Sequence, residues 1–364
     1  MSVLEELERE AGVPFGEARA LPLGAFDDPE VAALERERIF YRDWMALCNE
    51  AALPDPGDYF AIDLIDEPIL VIRDESGALR ALSNVCRHRG TAILEEGYGN
   101  SSTLVCPYHA WSYDTKGQLL ATPHSGDTVI ERSEHCLPEF PLEVWHGIVF
   151  VNLDKQAEPL TPQLAGLEEA LARYGLDRGR ASNAPQEFHP CPSNWKFAVE
   201  NQIECYHLFQ THRNTLEPYS PTLGNFNVAG GARWTVTAGR LEGGDFLRPY
   251  YAVVAIPPSW QAIVSAPRVG VGDDDFWYWQ SVLPLTPQTC RVSGKYLLPG
   301  SDNTDFWDED VANCRYQQRV ARTRDWRGGP LNRLERIVVD FHNYLAWKLF
   351  ERKPPPPWTE PGPK

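Results

Sequence analysis

Apolar positions recur at helical spacing twice near the start of the chain, from Val3 to Glu10 (VLEELERE) and from Val31 to Tyr41 (VAALERERIFY), with charged residues between them. That spacing predicts two amphipathic helices, because residues three and four apart share one face. From Trp44 to Leu153 the texture changes to short apolar or alternating runs, YFAIDLI, PILVIRD, LRALSNV and HGIVFVNL, punctuated by Pro, Gly and Asp. Such runs predict a small all-β module with close turns. Helical spacing returns from Pro162 to Tyr174 (PQLAGLEEALARY), and beyond it RWTVTAG, YYAVVAI, FWYWQSVLPL and RVSGKYLLP read as strands of an antiparallel sheet. The charged segment from Asp305 to Trp347 reads as helix, interrupted at Gly328-Gly329-Pro330. The tail KPPPPWTEPGPK is too rich in proline for helix or central strand and reads as an extended surface arm or a disordered end.

The 364 residues suit one large or two ordinary domains. With 34 basic and 51 acidic residues the formal charge is −17, which repels phosphate backbones and anionic membranes, so neither nucleic acid nor a membrane is expected as a partner. The N-terminus has no basic segment followed by an apolar run, and no stretch approaches the roughly 18 apolar residues of a membrane span. A soluble, cytoplasmic protein is expected. The 8 Cys are scattered, without the density of a disulfide scaffold, and read as free thiols or metal ligands.

Four of the candidate ligands are Cys86, His88, Cys106 and His109, in CRHRG and CPYHAWSY. Zinc takes two Cys and two His in tetrahedral sites. Zinc hairpins, however, usually pair ligands of one type, whereas here each turn offers one thiolate and one imidazole. A Rieske [2Fe-2S] cluster requires that division, since one iron takes two Cys and the other two His. Gly90 and Pro107 sit where tight turns could aim backbone N–H groups at cluster sulfurs, and Trp111 and Tyr113 could shield one side from water.

CRHRG, the Gly99-Asn100 turn and CPYHAWSYDTKGQL together resemble the Rieske domain of the aromatic-ring-hydroxylating oxygenase family, the oxygenase (alpha) subunits of Rieske non-haem iron oxygenases, over roughly residues 40 to 155. The resemblance implies an α+β chain with an all-β Rieske domain and a larger catalytic domain whose antiparallel sheet is flanked by helices. The expected divisions are 1–43, N-terminal helices packing with the catalytic domain; 44–155, Rieske domain; 156–352, mononuclear iron domain; and 353–364, Pro-rich tail.

A second constellation lies in CPSNWKFAVENQIECYHLFQTHRN, residues 191 to 214, which places Glu204, His207 and His212 on a predicted helix. His207 and His212 are five residues apart, so a regular helix would separate their rings by roughly 140°. For both to bind one metal the helix must end or deform between them. The residues alone leave open a core His207 and a surface His212. The family's catalytic iron motif resembles N-W-K-x-x-x-E-N followed by acid-x-x-His-x-x-x-x-His. That resemblance implies that His207 and His212 are iron ligands, completed by a distant carboxylate. In WDEDVANCRYQQ the register of Asp310, Cys314 and Gln318 matches the family, which makes Asp310 the candidate, with Asp305, Asp308 and Glu309 as alternatives.

Glu204 stands where the family usually has Asp and is similar to a branch that includes carnitine-type monooxygenases. The resemblance implies an electron-transfer bridge from His109 of one subunit, through Glu204, to His207 of the next. Asn201 matches a position near the iron that holds a water or orients the substrate. The function so implied is that of a terminal oxygenase component, using dioxygen to hydroxylate or oxidatively demethylate a small organic molecule. Quaternary-ammonium monooxygenation and aromatic-acid oxygenation are the competing chemistries within the class. An electron-transfer Rieske protein without a working iron site is the alternative outside it, and a zinc-ribbon interaction protein is the third reading.

The chain has no Gly-rich dinucleotide fingerprint after a strand, so NAD(P)H would act through a separate reductase, with or without a ferredoxin. A homotrimer is implied, alone or with further copies or a beta subunit. Leu208, Phe209, Trp277 and Trp279 are the substrate-pocket candidates, since an aromatic wall suits a flat ring or a quaternary ammonium. Arg233, Arg240 and Arg248 could meet a substrate carboxylate, against ordinary surface exposure.

Overall fold

A computed structural model of the chain describes residues 1–177, 180–181, 185–218, 220–240, 251–265, 276–294, 305–323 and 325–360. The backbone divides into two compact units, one taking Met1–Tyr41, Pro159–Ser182 and Gln186–Lys364, the other Arg42–Glu158 with Asn183–Pro185.

The smaller unit is all-β in its strands, and its paired strands run antiparallel. Five strands are ordered Gly97–Asn100, Asp58–Leu64, Glu67–Arg73, Leu79–Ser83, Glu139–Phe140. Beside them lie two three-stranded sheets, Met45–Asn49 with Ile148–Val151 and Leu142–Trp145, and Leu104–Val105 with Ser112–Tyr113 and Leu119–Ala121. Leu70, Ile72, Leu82, Leu104 and Tyr113 are buried in one apolar cluster that also takes in Cys86 and Cys106. The two thiols are thereby anchored in the core of the unit.

The larger unit holds the helices: α1 (Val3–Ala11), α2 (Pro29–Glu35), α3 (Leu160–Gln163), α4 (Leu167–Ala172), α5 (Trp195–Ile203), α6 (Leu208–Thr211), α7 (Asp305–Val320) and α8 (Arg336–Phe350). Helix α1 opens with a reciprocal cap between Ser2 and Glu5, and α2 with an Asp28 cap followed by Pro29. The sequence pattern predicted one helix over Val31 to Tyr41; instead α2 passes into a π-turn, Arg36–Phe40. The run from Pro162 to Tyr174 is split into α3 and α4 at Gly166, whose φ of 88° no regular helix accommodates.

Eight strands form one antiparallel path: Phe188–Cys191, Thr289–Ser293, Phe276–Thr286, Trp260–Ser265, Tyr251–Ile256, Thr235–Gly239, Asn225–Gly230, Trp358–Thr359. Arg180–Ala181 adds a short parallel pairing to Phe276–Thr286. The inner strands Tyr251–Ile256 and Asn225–Gly230 are buried at every residue, so both faces are covered and the alternation of a half-exposed strand is missing. Helices α5 and α8 pack on this sheet.

The tail does not remain free along its length. Trp358 and Thr359 pair with Gly230 and Ala229 on the sheet edge, where a Cβ on Gly230 would fall inside the Trp358 ring. Prolines exclude it from a central strand but not from an edge, which needs hydrogen bonds on one side only. Trp358 also donates through Nε1 to Asp340, and its ring stacks on the Arg336 guanidinium at 4.1 Å.

The N-W-K triplet is architectural. Asn194 caps α5 by accepting from the Lys196 N–H, at 2.9 Å, while its own N–H donates to Gln318 Oε1 at 2.7 Å. Trp195 Nε1 and Lys196 Nζ both donate to the buried Glu35 of α2, at 2.8 and 2.5 Å. Two consecutive side chains thus tie α5 to α2, and the cap adds about 1 kcal/mol.

Candidate metal centres

In the smaller unit, two similar turns carry the four candidate cluster ligands. The Cys86 carbonyl accepts from Gly90 N–H at 3.0 Å while Cys86 N–H donates to the Thr91 carbonyl at 2.9 Å. The second turn repeats this: the Cys106 carbonyl accepts from Ala110 at 3.0 Å, and Cys106 N–H donates to Trp111 at 2.8 Å. Each closes in the left-handed region, at φ 74° for Gly90 and 57° for Ala110. Glycine adopts that conformation freely, whereas Ala110 carries strain of about 1 kcal/mol or more.

The turns sort their donors by depth. Cys86 and Cys106 are buried, His88 is exposed and His109 half-buried, and the two imidazole centroids lie 4.6 Å apart. Burial pushes the Cys86 thiol up and Cys106 beside it adds to this, so two thiolates here need a cation between them. Partial burial and the neighbouring charges of His88 and Arg89 lower His109, leaving a neutral imidazole free to donate a lone pair. A thiol pair inside and an imidazole pair outside is the division a [2Fe-2S] cluster with unlike irons requires. The donor set therefore fits a Rieske cluster.

Two aromatic side chains flank this set. Trp111 stacks on the His88 ring, 4.8 Å between centroids and 6° from parallel. Tyr113, fully buried, places its Oη 3.4 Å from Cys86 Sγ and accepts from Arg87 N–H at 3.0 Å. The sequence suggested shielding by both rings; a hydrogen bond from Tyr113 to a ligand sulfur was not apparent from spacing.

In the larger unit, His207, His212 and Asp310 come together, with one donor atom from each within 4.8 Å of the others. The single helix expected across Glu204, His207 and His212 is not found. Helix α5 ends at Ile203, Glu204 is its extended C-cap, and the two histidines flank the single turn of α6. Ending the helix frees His207 from the angular separation that would keep the rings apart, and the ring centroids lie 5.0 Å apart.

Both Nε2 atoms face one carboxylate oxygen. His212 Nε2 lies 2.8 Å and His207 Nε2 3.5 Å from Asp310 Oδ1. Each Nδ1 faces another carboxylate: His207 meets Glu204 Oε1 at 2.5 Å, and His212 meets Glu309 Oε2 at 2.7 Å. Burial alone would hold the His207 imidazolium down, but Glu204 and Asp310 outweigh it and raise the group to about 10. Burial likewise works against the Asp310 charge, and hydrogen bonds from the two histidines overcome it and hold the carboxyl below its ordinary range. Two imidazoles and a carboxylate facing inward suit a divalent iron with open positions.

Asn201 Nδ2 donates to Asp310 Oδ1 at 3.1 Å, so its contact is with the candidate ligand itself. Among the alternatives to Asp310, Glu309 lies behind the His212 ring and Asp308 is exposed, while the Asp305 side chain lies outside the described residues. Thr215 and Glu309 beside His212 were missed as a pair; only their spacing from His212 and Asp310 could have signalled them. Leu208 and Trp279 are buried, whereas Phe209 is 48% exposed and packs on Tyr206 at the surface. The Trp277 side chain and Arg248 lie outside the described residues. Arg233 lies over the Trp347 ring at 5.0 Å, an ordinary packing role. A small cavity lies elsewhere, walled by Val199, Ile203, Trp234, Trp260, Asp340 and Phe341 among others.

The Rieske [2Fe-2S] domain family matches residues 43–141, and the ring hydroxylating alpha subunit (catalytic domain) family matches residues 176–351. Among similar curated proteins, the glycine betaine monooxygenase oxygenase subunit of Chromohalobacter salexigens is 35% identical over 211 residues, 56% of this chain and 46% of that protein. The benzene 1,2-dioxygenase subunit alpha of Pseudomonas putida is 33% identical over 195 residues, 51% of this chain and 42% of that protein. The matched stretch thus spans about half the length of these relatives or less. Among solved structures, a quaternary ammonium Rieske monooxygenase superposes with a TM-score of 0.77 at 23% identity, covering 94% of this chain and 98% of that one. Among the described residues no helix is long and apolar enough to cross a membrane.

Proposed function

Because the chain belongs to the Rieske non-haem iron oxygenases, joining a Rieske [2Fe-2S] domain to a ring-hydroxylating alpha-subunit catalytic domain, we propose that it is the oxygenase component of a multicomponent enzyme that hydroxylates or oxidatively demethylates a small organic substrate. The observation that carries this reading is the convergence of His207, His212 and Asp310 from α6 and α7. The spacing and burial of Cys86, His88, Cys106 and His109 support a companion electron-storing site.

When bound, a Rieske cluster supplies one electron at a time, and iron on a two-His-one-carboxylate face supplies dioxygen activation. The residues of the chain supply position and charge. Cys86 and Cys106 neutralise from the buried side, with His88 and His109 at the exposed side. His207 and His212 present Nε2, Asp310 presents Oδ1, and Asn201 steadies that oxygen.

Glu204 accepts a hydrogen bond from His207 Nδ1, which keeps that nitrogen protonated and leaves Nε2 for the metal. In a head-to-tail homotrimer Glu204 would also reach His109 of the partner subunit and carry the electron bridge. NADH or NADPH would act through a separate reductase, with or without a ferredoxin, in a cytoplasmic setting. Quaternary-ammonium oxidation is the favoured chemistry, supported by Glu204 in place of the family's usual Asp and by the glycine betaine relative.

Metal and acid-labile sulfide are measured on protein purified without oxygen, with about three irons and two sulfides per chain expected. Candidate betaines and aromatic acids are then supplied with reductase, NADH and dioxygen, and products are identified. His212→Ala should abolish product and leave the cluster spectrum intact. Zinc without sulfide overturns the whole reading, product from His212→Ala overturns the iron assignment, and hydroxylated aromatics with no betaine product overturn the substrate class.

A further inference from the structure

We propose that Glu309, braced by Thr215, is the positioning residue that sets the ring of His212 for metal binding. The inference rests on the reading of His207, His212 and Asp310 as a metal site, and goes beyond it in assigning a task to two residues outside the ligand set.

His212 is fully buried, and its imidazole is held along both edges by consecutive residues of α7. Nδ1 donates to Glu309 Oε2 at 2.7 Å, while Nε2 faces Asp310 Oδ1 at 2.8 Å. Neighbours on a helix diverge by about 100°, so two adjacent carboxylates can reach opposite sides of one ring, as they could not from a strand face. A neutral imidazole carries its proton on one nitrogen and its lone pair on the other. An acceptor at Nδ1 keeps a proton there, so that a metal taking the place of the Nε2 contact to Asp310 would meet a lone pair already aimed at the site.

Glu309 is itself fixed. Thr215 Oγ1 donates to the same Oε2 at 2.8 Å, and Thr215 sits in a turn closed by its own N–H on the His212 carbonyl at 3.1 Å. Asn313, one turn further along α7, donates to Thr211 Oγ1 at 2.9 Å and joins α7 to the turn that carries His212. The two imidazoles are therefore treated differently. His207 relies on Glu204, only three residues away along the chain, whereas His212 relies on α7, which also carries Asp310. A single helix thus supplies one candidate ligand and orients another.

The test is Fe(II) affinity by chelator competition on the full chain, with the Co(II) ligand-field spectrum as a second readout of ring orientation. Glu309→Ala should weaken Fe(II) binding by about 10- to 100-fold and shift the Co(II) bands, with the cluster spectrum unchanged. Glu309→Gln keeps an oxygen acceptor and should recover most of that loss, while Thr215→Val should fall between Gln and Ala. Alanine affinity within about twofold of wild type, with unshifted Co(II) bands, overturns the proposal. So does a Gln variant no better than Ala. If Glu309→Ala does not fold, Thr215→Val decides, and affinity equal to wild type refutes the bracing. Failure of the metal reading is distinct: wild type itself then binds no Fe(II) beyond the cluster, or His212→Ala binds it unchanged.

Discussion

Tyr113→Phe removes one oxygen from a fully buried ring and leaves its shape, so the result reads the hydroxyl's hydrogen bonds and not its packing. Tyr113 Oη lies 3.4 Å from Cys86 Sγ, and because a metal-bound thiolate can only accept, the hydroxyl must donate in the loaded protein. A hydrogen bond to a charged acceptor is worth about 1.5–3 kcal/mol. Sulfur carries charge in both oxidation states, so only the increase on reduction matters. Taking that as about 1 kcal/mol, and about 59 mV per tenfold change in a one-electron equilibrium, the potential should fall by roughly 40–50 mV. The phenylalanine also strands the Arg87 N–H, which now donates to the hydroxyl at 3.0 Å, at a stability cost of about 1–3 kcal/mol. A redox titration followed by electron paramagnetic resonance, alongside a melting curve, measures both. An unchanged or raised potential in a variant with full cluster occupancy would refute the assignment of Tyr113 as a donor to ligand sulfur.

Glu35→Ala should destabilise the larger unit by about 3–5 kcal/mol, because it leaves the buried Lys196 ammonium and the Trp195 indole N–H without their shared acceptor; denaturant melts showing less than about 1 kcal/mol would contradict it. Asp340 is raised from 3.8 to about 6, by burial that Arg336, Thr235 and Trp358 only partly offset. A raised carboxyl contributes stability that is full below the unfolded value of 3.8 and is lost as pH rises through about 6. Asp340→Asn should therefore be relatively most costly below about pH 4 and gain on wild type by about 3 kcal/mol toward pH 8, roughly half of it above pH 5. A stability difference that does not vary with pH would show that the carboxyl is not raised.

Much of the site was legible because ligand chemistry is local where it falls on tight turns. Cys86-x-His88 and Cys106-x-x-His109 each lie within one turn, and the hydrogen bonds closing those turns involve residues no more than five apart. The His207 and His212 pair was visible as residues but not as geometry. Whether α5 ran on or stopped at Ile203 depends on interactions that helical periodicity does not encode, among them the pull of Glu204 on the Tyr206 and His207 N–H groups. The tail was legible as an extended arm but not in its anchor: proline content excludes helix and central strand, and the bare Gly230 that admits Trp358 lies 128 residues away.

Sequence by itself determined the kinds of donor atom, their local spacing and the change from helical to β texture, since these follow from neighbouring residues and from repeat periods of two and 3.6. Only the tertiary structure decided which acid of Asp308, Glu309 and Asp310 faces the two Nε2 atoms and which stands behind His212. Those three residues are adjacent and chemically alike, and what distinguishes them is their angle on α7 relative to a histidine 98 residues earlier. That angle is set by packing across the fold, through Asn313 to Thr211 and through Gln318 to Asn194, and no local pattern records it.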